Sequence, residues 1–149
     1  MTRFRDTIQR VQQALDAAYD SELRYARVDV TPQQLIVLEA IWQHDGPSQT
    51  VLVKDTNIDR STMANIVRRL QKKGLVTRRR ARQDARRNVL ALTDIGKQTT
   101  LRAQLIAKNV EARIAFSAGA AMKGMDKKLA AIIAAVGTDG SGSSLVAAE

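Results

Sequence analysis

Over residues 59–74 the large apolar side chains are Met63, Ile66, Val67 and Leu70. That i, i+3, i+4, i+7 spacing is one face of an α-helix. The residues after this stripe narrow the fold further. Lys72-Lys73-Gly74 places cations at the carbonyl end of the helix, then a glycine suited to the left-handed residue that closes it. Two short β-candidates come next, residues 75–80 and 88–92. A helix with one apolar face, succeeded at once by a hairpin, has to share a core with other elements.

Those elements can be read on either side. Phe4, Ile8, Val11, Leu15, Ala18 and Tyr19 give residues 3–27 a helical period. Thr31-Pro32-Gln33-Gln34 combines a cap residue, a proline at the first helical position and a glutamine three residues after the cap. The second helix therefore carries Leu35, Leu38, Ile41 and Trp42 and stops at Asp45-Gly46-Pro47. A third, short helix is predicted over 49–56, and Asp59 is placed to cap the fourth, over 60–73. Thr93 is placed to cap a fifth, extending to about residue 116, with Leu101, Leu105, Ile106, Val110 and Ile114 apolar. A sixth is expected over 118–136, interrupted by Gly119 and Gly124. The glycine-rich end, residues 137–149, reads as a flexible tail. The predicted class is mainly α with one small β-hairpin.

The formal charge is +9. Residues 59–87 hold eleven Lys or Arg and two Asp, so the whole excess lies in that block. It includes TRRRARQDARRN, residues 77–88, half of them arginine. Solvated charged faces usually mix signs, whereas a one-signed block on a balanced body is the footprint of a polyanion binder. Cysteine is absent and histidine occurs once. No disulfide, thiol sensor, metal-ligand spacing or phosphate-cradling glycine loop is available, so neither a cofactor nor a bound metal is expected and an enzyme is disfavoured. No run of eighteen apolar residues exists, and the opening MTRFRDTIQRVQQ lacks an apolar signal core. A cytoplasmic chain without membrane or secretory segments is therefore expected.

Helix, turn, helix and basic hairpin in that order make a winged helix-turn-helix over residues 31–92. With its apolar stripe buried, the fourth helix turns Arg60, Ser61, Thr62, Asn65, Arg68 and Arg69 outward. A helix fits the major groove of B-form DNA, where Asn suits adenine and Arg suits guanine. Ser61 and Thr62 suit phosphate oxygens. In the wing, Arg79, Arg80, Arg82 and Arg87 are candidates for backbone contacts. Arg86 is the candidate for insertion into a narrow minor groove. Asp84 would hold a wing arginine by an ion pair, or be an ordinary turn acid.

DRSTMANIVRRLQKKGLVTRR and RQDARRNVLALTDIGK resemble the recognition helix and wing of the MarR family of bacterial transcriptional regulators. The matching features are Asp59, Leu70 through Gly74-Leu75-Val76, Asp84-x-Arg86 and Leu92-Thr93-x-x-Gly96, and TPQQLIVLEAIW resembles the family's second helix. The resemblance extends over residues 8–136. It implies a homodimer whose helical dimerisation region is residues 1–30 and 93–136, with two winged domains reading a pseudo-palindromic operator in double-stranded DNA. It also implies a repressor released by a small organic effector, such as an aromatic acid or an acyl-coenzyme A thioester. Asn65 then lies where the family reads bases, and Arg86 where the wing is inserted. A redox or zinc trigger of the family's kind would need residues this chain lacks.

For an effector, Tyr19, Leu23, Arg24, Tyr25, Arg27, Leu38, Trp42 and His44 are the candidates. Aromatic rings could stack on a planar ligand and the arginines could pair with its carboxylate. Plain core packing of the same residues is the competing reading. The competing function is a constitutive or architectural DNA binder without a ligand switch.

Overall fold

The computed structural model describes residues 2–44, 46–81 and 88–137. The chain divides into two compact units, residues 1–111 and 112–149. The first contains α1 (Thr2–Tyr25), α2 (Pro32–Gln43), α3 (Gln49–Thr56), α4 (Arg60–Lys72), β1 (Val76–Arg80), β2 (Asn88–Leu92) and most of α5 (Asp94–Ala118). No helix among the described residues is long and apolar enough to cross a membrane.

Local chemistry sets most of these boundaries. Thr31 and Gln34 form the reciprocal capping box at the start of α2: the Gln34 amide donates to Thr31 Oγ1 at 3.2 Å, and the Thr31 amide to Gln34 Oε1 at 3.3 Å. Ser48 Oγ accepts from the Val51 amide at 3.4 Å and starts α3. Helices of 8–13 residues are marginal on their own, so burial must hold them. Met63, Ile66, Val67 and Leu70 are buried in one core with Leu23, Val37, Leu38 and Leu52. At roughly 1.5–3 kcal/mol for each large side chain, that stripe outweighs propensity differences of tenths and fixes which face of α4 points out.

β1 and β2 pair antiparallel, Val76 opposite Leu92 and Arg80 opposite Asn88. The hairpin is also tied to the loop after α2, since the Leu90 amide donates to the Pro47 carbonyl at 2.9 Å. Lys73, just past α4, reaches back to the α1–α2 connection. Its ammonium donates to the Asp29 carbonyl at 2.7 Å, to Asp29 Oδ1 at 3.0 Å and to Gln34 Oε1 at 3.2 Å.

In the second unit the end of α5 leads into a 3-10 turn (Gly119–Met122) and α6 (Met125–Gly137). The single sixth helix expected over 118–136 is therefore two elements. Gly119 and Gly124 take left-handed φ of +51° and +71°. Each breaks the right-handed helix where it stands.

The tightest glycine approach in the fold is at Gly96. A Cβ there would lie 2.0 Å from the Leu75 carbonyl oxygen, with both atoms on rigid backbone. Gly96→Ala is expected to destabilise the chain by roughly 3 kcal/mol or more, read as a lower urea midpoint with an unchanged slope. A variant of wild-type stability would show that α5 does not seat on this carbonyl.

Candidate nucleic-acid interface

The site begins at the N-terminus of α4. Asp59 Oδ1 accepts from the Ser61 amide at 3.0 Å, the Thr62 amide at 2.9 Å and the Ser61 hydroxyl at 2.8 Å. Hydrogen bonding from Thr62, side chain and then backbone, with Ser61 adding to it, holds this carboxyl down at about 2. The first amides of the helix are thus already satisfied, and the Ser61 hydroxyl proton is committed to the cap.

Beyond the cap, Arg60, Asn65, Arg68 and Arg69 are exposed, Thr62 is half-buried, and the apolar stripe faces inward. Arg68 Nη1 donates to Asn65 Oδ1 at 3.0 Å. Arg79 and Arg80 stand exposed on β1, opposite Val89 and Asn88. Arg82, Asp84, Arg86 and Arg87 lie outside the described residues. The described residues thus offer exposed, donor-rich side chains on helix and strand, the chemistry of a duplex-binding face.

The eight effector candidates do not line one cavity among the described residues. Leu23 and Leu38 are core, 1% and 0% exposed. Tyr25 is 89% exposed. The Tyr19 hydroxyl donates to Glu111 Oε1 at 3.1 Å. Burial first, then the Glu111 charge, pushes this phenol up to about 12. Arg27 lines a cleft of about 240 Å³ with Asp29, Lys73 and Arg102. Trp42 and His44 line another of about 300 Å³ with Arg79 and Lys97, and His44 Nε2 is paired with Asp55.

Arg24 lines a groove of about 620 Å³ between α1, the start of α2 and α4. Its other walls include Asp16, Asp20, Thr31, Gln33, Gln34, Thr62, Asn65, Ile66 and Arg69, and Arg24 is paired with Asp20. Sequence reasoning passed over Asp16, Asp20 and Arg69 as groove residues. The spacing 16, 20, 24 marks one helical face and was the available signal. Among the described residues no cluster of three or more His, Asp or Glu gathers as a metal site would require.

Residues 28–87 match the model of the MarR family. The fold is similar to that of the PcaV transcriptional regulator from Streptomyces coelicolor, solved in complex with its natural ligand (TM-score 0.74, 27% identity, 88% of this chain and 91% of that one). It is likewise similar to the transcriptional repressor CouR bound to a 23-mer DNA duplex (TM-score 0.72, 26% identity, 88% and 89%). An organic hydroperoxide resistance transcriptional regulator of Bacillus subtilis is 26% identical over 70 residues, 47% of this chain and 48% of that protein. The chain spans about half the length of the curated relatives it matches.

The fold and site define a winged-helix protein. Residues 28–87 carry the MarR-family match, and the fold is similar to those of solved transcriptional regulators.

The cap yields a pH prediction. A carboxyl whose folded value is depressed stabilises the fold above its unfolded value near 4, and that stability is lost as pH falls through about 2. Asp59→Asn keeps an acceptor but not the charge. It should remove this part of the acid sensitivity while preserving α4 at neutral pH. Asp59→Ala should lower the melting temperature at neutral pH and speed amide exchange in the first turn of α4. Unchanged exchange there in Asp59→Ala would refute the role of the cap.

Proposed function

We propose that this chain is a homodimeric, sequence-specific DNA-binding repressor that acts in the cytoplasm and releases a pseudo-palindromic operator when a small organic effector binds. The observation that carries the DNA reading is the outward face of α4. Asn65, Arg68 and Arg69 stand exposed on α4 while its opposite face is buried, and the arginines of β1 are exposed too. A helix of this kind fits the major groove, and cations on the adjacent strand neutralise flanking phosphates. The DNA complex of CouR, at 26% identity, supports the same reading.

Dimerisation is supported by apolar side chains left in solvent on the helices. Phe4, Ile8 and Val11 on α1 and Leu101 and Leu105 on α5 are exposed in the single chain. A second copy would cover such residues and place two recognition helices about one helical turn of DNA apart. In this reading residues 1–30 and 93–136 serve dimerisation, and residues 31–92 bind DNA. The protein is a regulator and not an enzyme, as its relatives are.

For the effector, the groove beside Arg24 is of a size that suits a small molecule. Its arginines, Arg24 and Arg69, would pair with the carboxylate of an aromatic acid or with the phosphates of the acid's coenzyme A thioester. The ligand complex of PcaV supports a ligand-responsive regulator. With no cysteine in the chain, the trigger is not a thiol oxidation.

Fluorescence anisotropy against duplexes from upstream of the chain's own gene tests this. Affinity should fall by roughly 10³–10⁵ between about 50 and 200 mM salt if six to ten phosphates are contacted. Asn65→Ala should cost about 1–3 kcal/mol on the operator and little on a scrambled duplex. One member of a panel of aromatic acids and their thioesters should release the operator. Salt-sensitive binding without selectivity, unmoved by the panel, would favour an architectural binder instead.

A further inference from the structure

Asn65 and Arg68 are three residues apart on α4, which makes them neighbours on one helical face. Both are exposed, and Arg68 Nη1 donates to Asn65 Oδ1 at 3.0 Å. Chemistry fixes which amide atom faces the arginine. A guanidinium has donors only, so its partner must be the oxygen.

That contact changes what the asparagine can read. Alone, it offers a base edge one acceptor and one donor, the complement of adenine N6–H and N7. With Arg68 on its oxygen, the amide group is left to point outward beside the remaining N–H groups of the guanidinium. The oxygen keeps a second lone pair, but a cation sits 3.0 Å from it. An incoming N6–H, itself positive, is repelled there. The pair therefore presents a donor-only edge. In the major groove guanine offers two adjacent acceptors, O6 and N7. Adenine and cytosine bring an amino donor, and thymine brings one acceptor beside a methyl group.

We propose, on the reading that α4 enters the major groove, that Asn65 and Arg68 act as one unit that specifies guanine at the base position Asn65 reaches in each half-site. Arg68 is then a specificity determinant, because it withdraws the acceptor that would otherwise select adenine.

The full chain is first used to select half-sites from a randomised duplex. The position read by the pair is the one whose preference changes in Asn65→Ala. Anisotropy is then measured with guanine, inosine, 7-deazaguanine or adenine at that position. Guanine should be preferred to adenine by roughly ten-fold or more. Inosine, which keeps O6 and N7, should bind like guanine, and 7-deazaguanine, which lacks N7, should bind several-fold more weakly. Arg68→Ala frees the asparagine oxygen on an exposed helix position that alanine suits, so the preference should move toward adenine. Wild-type preference for adenine would overturn the proposal, and so would an Arg68→Ala variant that weakens all four duplexes equally. If the wild-type chain does not distinguish selected from scrambled duplexes, sequence-specific binding itself fails and the proposal falls with it.

Discussion

The junction between the end of α4 and the start of α5 holds α4 and the hairpin in one arrangement. The Thr93 amide donates to the Leu75 carbonyl at 3.0 Å, and its hydroxyl donates to the Gly74 carbonyl at 2.6 Å. The same hydroxyl accepts from the Gly96 amide at 2.9 Å and so caps α5. Gly96 lets the α5 backbone lie directly on Leu75. One threonine and one glycine therefore seat the first turn of α5 on the residue that leads from α4 into β1. Leu92, at the end of β2, sits opposite Val76 and completes the closure. The aim of the recognition helix relative to the hairpin depends on these bonds, which explains why Leu-Thr-x-x-Gly stands where it does.

A second constraint is electrostatic. Eleven cations against two acids within residues 59–87 leave a net repulsion in the free chain. The described acids work at the margins of the face and not within it. Asp59 is turned into its own helix N-terminus by three hydrogen bonds. Asp29, outside the block, fastens the Lys73 ammonium to the α1–α2 connection. Between these two anchors no carboxylate stands on α4, so its outward face keeps its positive field. Exposed pairs of this kind contribute little to stability. Their role is in which way the cations point.

What was legible in the sequence depended on range. The starts of α2, α4 and α5 were readable because a cap is a contact across three residues, as with Thr31 and Gln34, Asp59 and Thr62, or Thr93 and Gly96. The outward face of α4 was readable because burying Met63, Ile66, Val67 and Leu70 determines its opposite. The groove was not, since it takes one wall from α1 and another from α4, and only packing brings Asp16 near Asn65. Grouping aromatic residues by sequence neighbourhood does not capture their surroundings, for the same reason. Tyr19 and Tyr25 lie on one helix, yet one is bonded to Glu111 and the other points into solvent. The division of the last helix came from two glycines whose φ values cannot be read from composition. The Arg68–Asn65 contact needed only helical spacing, but the expected pairing of asparagine with adenine concealed it.

The groove and the reading face share residues, and this bears on how a switch could work. Thr62, Asn65 and Arg69 line the groove, and Asn65 and Arg69 also stand on the outward face of α4. An occupant that holds these side chains from the groove withdraws them from a base or a phosphate. Coupling of this kind needs no path through the core, only competition for the same atoms. Its strength is limited by the contacts exchanged, because a ligand shifts an equilibrium only by its differential affinity for the two states. Linkage then requires the reverse effect: DNA must weaken the ligand by the same factor as the ligand weakens DNA. Arg24 adds a further element. It lies on the α1 wall, paired with Asp20, and an anion in the groove would have to displace that carboxylate before it could bind the guanidinium. In that reading Asp20 would be an internal competitor, and ligands that also fill the apolar wall at Ile66 would have the advantage.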